Sequence, residues 1–447
     1  MSICLRVRYN RAMAHIRTIV KRLIPMTLFK TIEPYGHLAE AVLANVRYGF
    51  PSRGMHIIGV TGTNGKTTTS FLIQKMLSQA GIKTALMTTV AYGVDNEIIP
   101  QVAHMTTASA PLLQKRLREF KRQGVTWVVL ETTSHALAQH RVWGIPYEIA
   151  VMTNVTHEHL DYHGTFERYL AAKLRLFTIA SRHGKQFGVV NVDDPSAEQF
   201  TDAIPSSVTY GITAGDLKAN NVTLETDGCR YDVTMGSDSY AIHCNIPGEF
   251  NVYNSLAAVA VGRELGLTKS QIEQGIEALS GVEGRMTVVD EGQLFTVIVD
   301  FAHTPDSFER LLHDVRKATK GKLITVFGSA GQRDETKRAI QGEIAGRFSD
   351  EVILTEEDDR DVDGHMILQQ IAGGAKQAGK TTDKDLFLVL DREEAIGFAL
   401  TRAKKANDTV ILLGKGHEKT IERANGVYPW NEVEITKTAL QALRTKD

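Results

Sequence analysis

Apolar residues along the chain fall into two alternating rhythms. The run 56–60 (HIIGV) is continuously apolar and ends at a glycine-rich loop. From 67 to 80, Phe71, Leu72, Met76 and Leu77 recur at helical spacing, and Gly81 follows where a helix should stop. That order predicts strand, loop, helix. Similar apolar runs return at 84–90, 125–131, 148–155 and 187–192, with helical stretches such as 111–123 and 166–180 between them. Strands apolar on both faces that alternate with helices predict a buried, mostly parallel sheet. Over 208–246 the period shortens to two around Asp-Gly and Gly-Ser turns, which predicts a small antiparallel addition. A helix at 251–265 restores the α/β rhythm. A second α/β unit begins near 282, with strands expected at 295–300, 322–328, 351–355, 386–390 and 409–413. The chain therefore divides into a short basic helical segment (1–50), a central parallel-sheet domain (51–281) and a C-terminal α/β domain (282–447).

Composition removes several classes of function. With 51 Lys+Arg against 52 Asp+Glu, the formal charge of −1 argues against a generally basic nucleic-acid binder. Cys4, Cys229 and Cys244 lie far apart in the sequence, so neither a disulfide framework nor a cysteine zinc site is expected, and a reducing, cytoplasmic setting fits. No apolar run reaches the roughly 18 residues of a membrane span. One local bias survives. Residues 1–30 hold Arg6, Arg8, Arg11, Arg17, Lys21, Arg22 and Lys30 and no acid, with Ile16, Ile19, Val20, Leu23, Ile24, Leu28 and Phe29 interleaved. The bland readings are a solvated or docking helix, or true initiation at Met13. The sharper one is peripheral contact with an anionic inner-membrane surface. A monomer is expected.

Candidate chemistry begins at Thr61-Gly62-Thr63-Asn64-Gly65-Lys66-Thr67-Thr68, between a strand and a helix. Glycine permits close backbone approach to a phosphate, and a helix start offers N–H groups. Lys66 can neutralise terminal phosphates and Thr67 can ligate Mg²⁺. Val60 stands where the general phosphate-loop pattern has its first glycine. Glu131 ends an apolar strand, the usual ligand edge of an open α/β sheet. His157, His159 and His163 crowd one segment, but Asp161 occupies the second histidine position of the zincin pattern, so a zinc hydrolase is a weak reading. Lys173, within a helical pattern, would by default face solvent. Asn251 and Asn254 open a helix, where capping is a live alternative.

The loop TGTNGKTTT resembles that of the Mur ligase family, ATP-dependent amide-bond-forming enzymes of peptidoglycan synthesis. The resemblance spans about 55–435 and includes, in order, TTASAP, ETTSHALAQHR, NVTHEHLDYHG, YLAAK, GEFNVYN, GRM, VDFAHTP, FGSAGQRD and GKGHE. It is strongest to the branch adding the third residue of the stem peptide. It implies a P-loop ATPase-type central domain and a Rossmann-like C-terminal domain that binds the amino acid. It implies catalytic roles for Lys66, Glu131, His159 and Lys173. It also implies two Mg²⁺ held by Thr67, Glu131, His159 and a carbamylated Lys173, whose modification replaces a cation with an anion. ATP contacts are implied for the loop residues Gly62 to Thr68 and for Asn251, Arg285, Asp300 and His303, with Arg333 and Asp334 nearby. Thr106, Thr107, Ser134 and Arg141 match positions that hold a muropeptide acceptor. Asp358, Arg360, Gly414 and Glu418 match amino-acid contacts.

Two departures matter. The branch adding diaminopimelate carries Asp-Asn-Pro-Arg after a strand ending in Thr, whereas here Thr355 precedes Glu356-Glu357-Asp358-Asp359-Arg360. Arg360 could still take a distal carboxylate, but the added acids favour an amine, so diaminopimelate and lysine both stay open. Only 60 residues precede Thr61, less than the usual uridine-binding domain, so the acceptor is expected either to be UDP-linked but held differently, or to lack UDP and be lipid-linked. The expected activity is acyl-phosphate-dependent addition of a diamino acid to a muramoyl-L-Ala-D-Glu acceptor. A folylpolyglutamate-type ligase and a non-catalytic nucleotide-binding scaffold at the membrane are the alternatives.

Overall fold

The computed structural model describes residues 26–101, 107–156, 158–225, 228–236 and 238–444. Residues 1–25 of the basic stretch read at 1–30, together with Thr106 and His157, lie outside the described residues. Helix α1 (Met26–Tyr48) comes first. The central sheet contains β1 (His56–Thr61), β2 (Thr84–Met87), β3 (Ala91–Val94), β4 (Glu97–Pro100), β5 (Trp127–Glu131), β6 (Tyr147–Met152), β7 (Phe187–Asn191), β8 (Ser206–Gly211), β9 (Leu217–Leu224), β10 (Cys229–Met235) and β11 (Asp238–Cys244). Between and after these strands run α2 (Lys66–Gln79), α3 (Ala110–Arg122), α4 (Ser134–Ala138), α5 (Leu160–His163), α6 (Phe166–Ala180), α7 (Ala197–Asp202), α8 (Glu249–Glu264) and α9 (Lys269–Glu277).

The strand order is β11-β10-β9-β8-β7-β6-β1-β5-β2-β3-β4. Strand β1 lies between β5 and β6, parallel to both. Its alternating side chains enter two cores: Ile58 and Val60 pack with Leu72 and Met76 of α2 and Leu256 and Val259 of α8, while Ile57 packs with Leu113 and Leu117 of α3 and Leu176 of α6. A strand sandwiched in this way must be apolar throughout. The phosphate loop leaves its C-terminal end, where an open sheet collects ligands.

The second sheet is formed by β12 (Thr287–Val288), β13 (Thr296–Asp300), β14 (Leu323–Phe327), β15 (Glu351–Leu354), β16 (Leu386–Leu388) and β17 (Thr409–Leu413), in the order β12-β13-β17-β14-β15-β16. Only β12 runs antiparallel to its neighbour in this sheet. Helices α10 (Pro305–Ala318), α11 (Thr336–Phe348), α12 (Gly364–Gln377), α13 (Arg392–Arg402) and α14 (Glu432–Arg444) cover it. A hairpin of β18 (Thr420–Arg423) and β19 (Gly426–Pro429) precedes α14. One apolar cluster runs from the central domain through Leu279, Val282 and Met286 into Ile298, Phe308 and Leu312. At this junction a Cβ on Gly284 would lie 2.0 Å from the His417 nitrogen, and one on Gly416 2.6 Å from Phe301 Cβ. The backbone linking the domains therefore touches the loop that follows β17.

Several sequence expectations need correction. The apolar run 84–90 is a strand only as far as Met87, because the chain turns over 88–90 and then pairs β2 antiparallel with β3. The antiparallel addition begins with the β9–β10 pairing, since β8 runs parallel to both β7 and β9. Cys229 and Cys244 are not far apart. The β10–β11 hairpin sets them directly opposite each other, both buried and free. Hairpin β18–β19 has no clear sequence signal, because its strands are short and partly exposed.

Candidate active site

Helix α2 begins at Gly65, whose φ of +84° is costly for residues with a side chain. A Cβ there would also stand 2.3 Å from Asn254 Oδ1. Asn254 accepts a hydrogen bond from Thr69 Oγ1 and donates to Asn251 Oδ1. Asn251 is not the cap of α8, because Gly248 holds that position; its amide donates to the Pro247 carbonyl at 2.7 Å. The two asparagines thus brace the loop from below. On the other side the chain leaving β6 supports it: Asn154 Oδ1 accepts from the Asn64 N–H at 2.9 Å, and the Thr63 N–H donates to the Asn154 carbonyl at 2.7 Å. Gly62 closely abuts Thr153, leaving no room for a Cβ. Lys66 Nζ donates to the Thr63 carbonyl at 2.7 Å, curled over the loop.

Glu131 is buried beside the loop. Its Oε2 accepts from Thr67 Oγ1 at 3.0 Å and from the Thr89 N–H at 2.9 Å, and its Oε1 accepts from Thr89 Oγ1 at 3.0 Å. Carboxylate and hydroxyl oxygens are the donors that Mg²⁺ prefers. Among the described residues no three His, Cys, Asp or Glu side chains form a ready metal cage. Mg²⁺ commonly completes such a shell with phosphate oxygens and water, so Glu131 and Thr67 fit its role. Thr89 was invisible in the sequence because it sits at the end of an apolar run.

Lys173 does not face solvent. It is 1 % exposed, and Nζ donates to the Gly62 carbonyl and lies 4.4 Å from the centre of the Tyr169 ring. Burial, then repulsion from Lys66, hold its amine well below the ordinary lysine value, which favours the neutral form. The Tyr169 hydroxyl meets Thr63 Oγ1 at 2.9 Å. His159, at φ +57°, packs its ring edge-on against His135 with centroids 4.7 Å apart, and lies 6.2 Å from Tyr169. His135 is pushed down to about 3, first by burial and then by His159 and His163. It escaped the sequence reading because a short helix gives no periodicity.

The residues expected to hold the acceptor gather next to Glu131. Thr107 Oγ1 donates to the Glu131 carbonyl at 3.1 Å, and Arg141 Nη1 donates to the Thr107 carbonyl at 2.6 Å. Ser134 Oγ lies 3.1 Å from His163 Nε2.

The C-terminal domain reaches this loop through α10. Asp306 Oδ2 accepts from Asn64 Nδ2 at 3.1 Å and Thr156 Oγ1 at 3.2 Å. An ordinary helix-start acid in the sequence is thus an interdomain contact. Asn64→Ala and Asp306→Ala should each slow turnover, with a coupling on the order of 1–2 kcal/mol in a double-mutant cycle. Losses that simply multiply would mean that the contact does no work in solution. Nearby, the His303 Nδ1–H donates to the Phe301 carbonyl at 2.9 Å, leaving Nε2 as an acceptor. Burial, then Lys337, lower its basicity. Asp300 accepts from the Met286 and Ala302 N–H groups, and burial raises its pKa against the pull of Arg285. Arg285 Nε is buried without a hydrogen-bond partner among the described residues, as a site awaiting an anion would leave it. Asp334 and Arg333 are exposed, and Asp334 caps the Thr336 N–H.

At the same C-terminal edge of the second sheet, Lys415 Nζ joins Asp358 (2.8 Å) and Glu418 (2.6 Å). Arg360 does not stand open for a distal carboxylate: its Nε is engaged by Glu422 at 3.0 Å and its Nη1 by the Gly331 carbonyl. Gly414, at φ +103°, leaves room for Glu357, whose Oε2 would be 2.5 Å from a Cβ. Burial, followed by Glu356, Glu357 and Asp358, pushes Asp359 up to about 6. A carboxyl whose folded value exceeds its unfolded one holds its proton longer when folded, so stability falls as pH rises from about 4 through 6. At about 1.4 kcal/mol per pH unit, Asp359→Asn should stabilise the protein by on the order of 2–3 kcal/mol near pH 7 and by less near pH 5, read by denaturant unfolding.

A phosphate loop flanked by a buried carboxylate, with a second α/β domain bonded to it, defines a two-domain nucleotide-binding enzyme. Residues 60–262 match the Mur ligase middle domain, and residues 284–416 match the Mur ligase glutamate ligase domain. The chain belongs to the Mur ligase family, whose members are ATP-dependent acid–amino-acid ligases. It is 42% identical over 424 residues to the UDP-N-acetylmuramyl-tripeptide synthetase of Roseiflexus sp. (strain RS-1), covering 92% of this chain and 83% of that one. It is 36% identical to the UDP-N-acetylmuramoyl-L-alanyl-D-glutamate–2,6-diaminopimelate ligase of Geobacillus thermodenitrificans (strain NG80-2), covering 96% and 88%. A solved diaminopimelate ligase of that type superposes with a TM-score of 0.64 at 33% identity, over 87% and 79% of the two chains. Folylpolyglutamate synthase of Mycobacterium tuberculosis superposes at 0.69 over 92% and 96%, but at 16% identity this speaks to fold alone. No helix among the described residues is long and apolar enough to cross a membrane.

Proposed function

We propose that the chain joins a diamino acid to the terminal carboxylate of a muramoyl-L-Ala-D-Glu acceptor through an acyl phosphate, with release of ADP and phosphate. The observation that carries this reading is the position of the phosphate loop. Thr107, Ser134 and Arg141 lie beside Glu131 on its own domain, while Asp306 of the amino-acid domain bonds its Asn64. Asn251, Arg285 and Asp300 would contact the base, a phosphate and the ribose of ATP, with His303 beside them. Magnesium ions at Thr67, Glu131, His159 and Lys173 would supply charge neutralisation at the terminal phosphates. Lys66 neutralises the transferring phosphoryl group, and the acceptor carboxylate attacks it. The neutral amine of the amino acid then attacks the acyl carbon and phosphate departs.

The buried, poorly basic Lys173 amine is suited to add to CO₂, giving a carbamate and one proton, and so to become a second anionic oxygen donor beside Glu131. In the amino-acid site, Arg360, Asp358, Gly414 and Glu418 would contact a diamino acid, either diaminopimelate or lysine. The test is incubation with ATP, Mg²⁺ and a muramoyl-dipeptide acceptor, with and without UDP, and single amino acids, read by mass spectrometry. An amide product is expected, with ¹⁸O from the acceptor carboxylate appearing in the released phosphate. Nucleotide hydrolysis or binding without any amide product would favour a scaffold instead.

A further inference from the structure

Lysine and 2,6-diaminopimelate differ by one group, a carboxylate on the carbon that bears the distal amine. Arg360 is the side chain suited to tell them apart, and hairpin β18–β19 is fastened to it through main chain and side chain together. The Arg360 N–H donates to the Glu422 carbonyl at 3.1 Å, and the Glu422 N–H donates to Asp358 Oδ1 at 2.9 Å. Arg360 Nε then donates to Glu422 Oε2 at 3.0 Å. Arg423, the next residue of β18, donates from Nε to Glu356 Oε2 at 2.8 Å. Strand β18 is thus laced along the loop after β15. The lacing holds Arg360 at φ +56°, a conformation few residues with a side chain adopt, and delivers the Glu422 carboxylate to it.

A guanidinium offers a carboxylate two forks, Nε with Nη2 or Nη1 with Nη2. Here Glu422 takes Nε and the Gly331 carbonyl takes Nη1. A distal carboxylate therefore gains a two-point grip only by displacing one of these acceptors. Glu422 is the displaceable one: its side chain is 44% exposed, whereas the Gly331 oxygen belongs to the main chain. An exposed ion pair between untethered partners would be weak. A carboxylate tethered beside its partner instead competes at an effective concentration of roughly millimolar or above. Besides exposed Arg333, the other cations around these loops are each matched already. Lys415 has Asp358 and Glu418, Arg423 has Glu356, and Arg392 has Glu432. Lys337, which Glu357 attracts, donates to the His303 carbonyl at 3.0 Å.

We propose that Glu422 is a specificity-determining residue: by occupying Arg360 it makes a distal carboxylate compete for the guanidinium, and so selects a diamino acid whose side chain ends in an ammonium alone. This rests on the reading that the loops after β15 and β17 hold the amino acid.

The test compares the full chain with Glu422→Gln, which keeps the main-chain lacing and the size of the side chain and removes its charge. On each preparation, kcat/KM for lysine and for 2,6-diaminopimelate is measured with ATP, Mg²⁺ and the muramoyl-dipeptide acceptor, and their ratio is the readout. Loss of folded enzyme lowers both values and leaves the ratio alone. The parent should favour lysine, and the variant's ratio should move toward diaminopimelate on the order of tenfold. In an Arg360→Ala background the same substitution should leave the ratio unmoved, because its target is gone. Calorimetric dissociation constants of the two amino acids, with ADP and Mg²⁺ present, should shift in the same sense without turnover. A ratio unmoved by Glu422→Gln in both measurements would overturn the proposal. So would a parent that prefers diaminopimelate, or an equal shift without Arg360. A binding shift with no amide product from the parent would remove the ligase reading alone, and amide formation with an unmoved ratio would remove this proposal alone. Binding of neither amino acid to the parent would overturn both.

Discussion

Replacing Lys173 by Ala is expected to reduce amide formation by roughly 10²–10³-fold or more, the usual cost of removing one preorganised charge-stabilising group. Two controls separate chemistry from packing. Lys173→Ala leaves a cavity beneath the loop and unpairs the Gly62 carbonyl, so unfolding must be followed alongside turnover. The native protein stripped of CO₂ should lose activity without any change in stability and regain it on addition of bicarbonate. A ¹³C carbamate resonance that appears with labelled bicarbonate in the native protein, and not in the variant, would place the group directly. Full turnover by the Ala variant would exclude the lysine from catalysis.

Glu131→Gln is expected to be nearly as severe, roughly 10²-fold or more in turnover, with the Mg²⁺ requirement moved to higher concentration. The substitution keeps size and retains one acceptor oxygen. However, the carboxylate now satisfies three donors, Thr67 Oγ1, the Thr89 N–H and Thr89 Oγ1. An amide cannot serve all three with the same geometry and brings no negative charge. A magnesium titration of nucleotide binding checks the assignment; an unchanged midpoint would leave Glu131 a structural brace.

How much of this was legible in the sequence depended on whether a residue acts through its neighbours in the chain or through distant ones. The loop 61–68 declares itself locally, since its glycines and lysine stand between an apolar run and a helix. The burial pattern of β1, β5 and β6 is equally plain, because strands covered on both faces admit only apolar residues. The C-terminal positions of Asp300, Gly414 and Glu418 were reached only by resemblance. Thr89 and Asp306 were not reached at all. Their roles lie in hydrogen bonds to residues 42 or 242 positions away, and no local period records such pairings. The cysteine pair shows the same blindness: 229 and 244 looked separate until the hairpin register was known. Arg360 shows the converse. Its type suggested an open anion site, and what the sequence did not record is that Glu422, on the hairpin without a clear sequence signal, engages its Nε.

The close contacts at the domain junction have a mechanical result. Gly284 rests on the backbone at His417, and Gly416 rests on the Cβ of Phe301, so neither position has room for a side chain. Any bulk added at either glycine would act as a wedge, prying residues 281–285 or Phe301 away from the turn that follows β17.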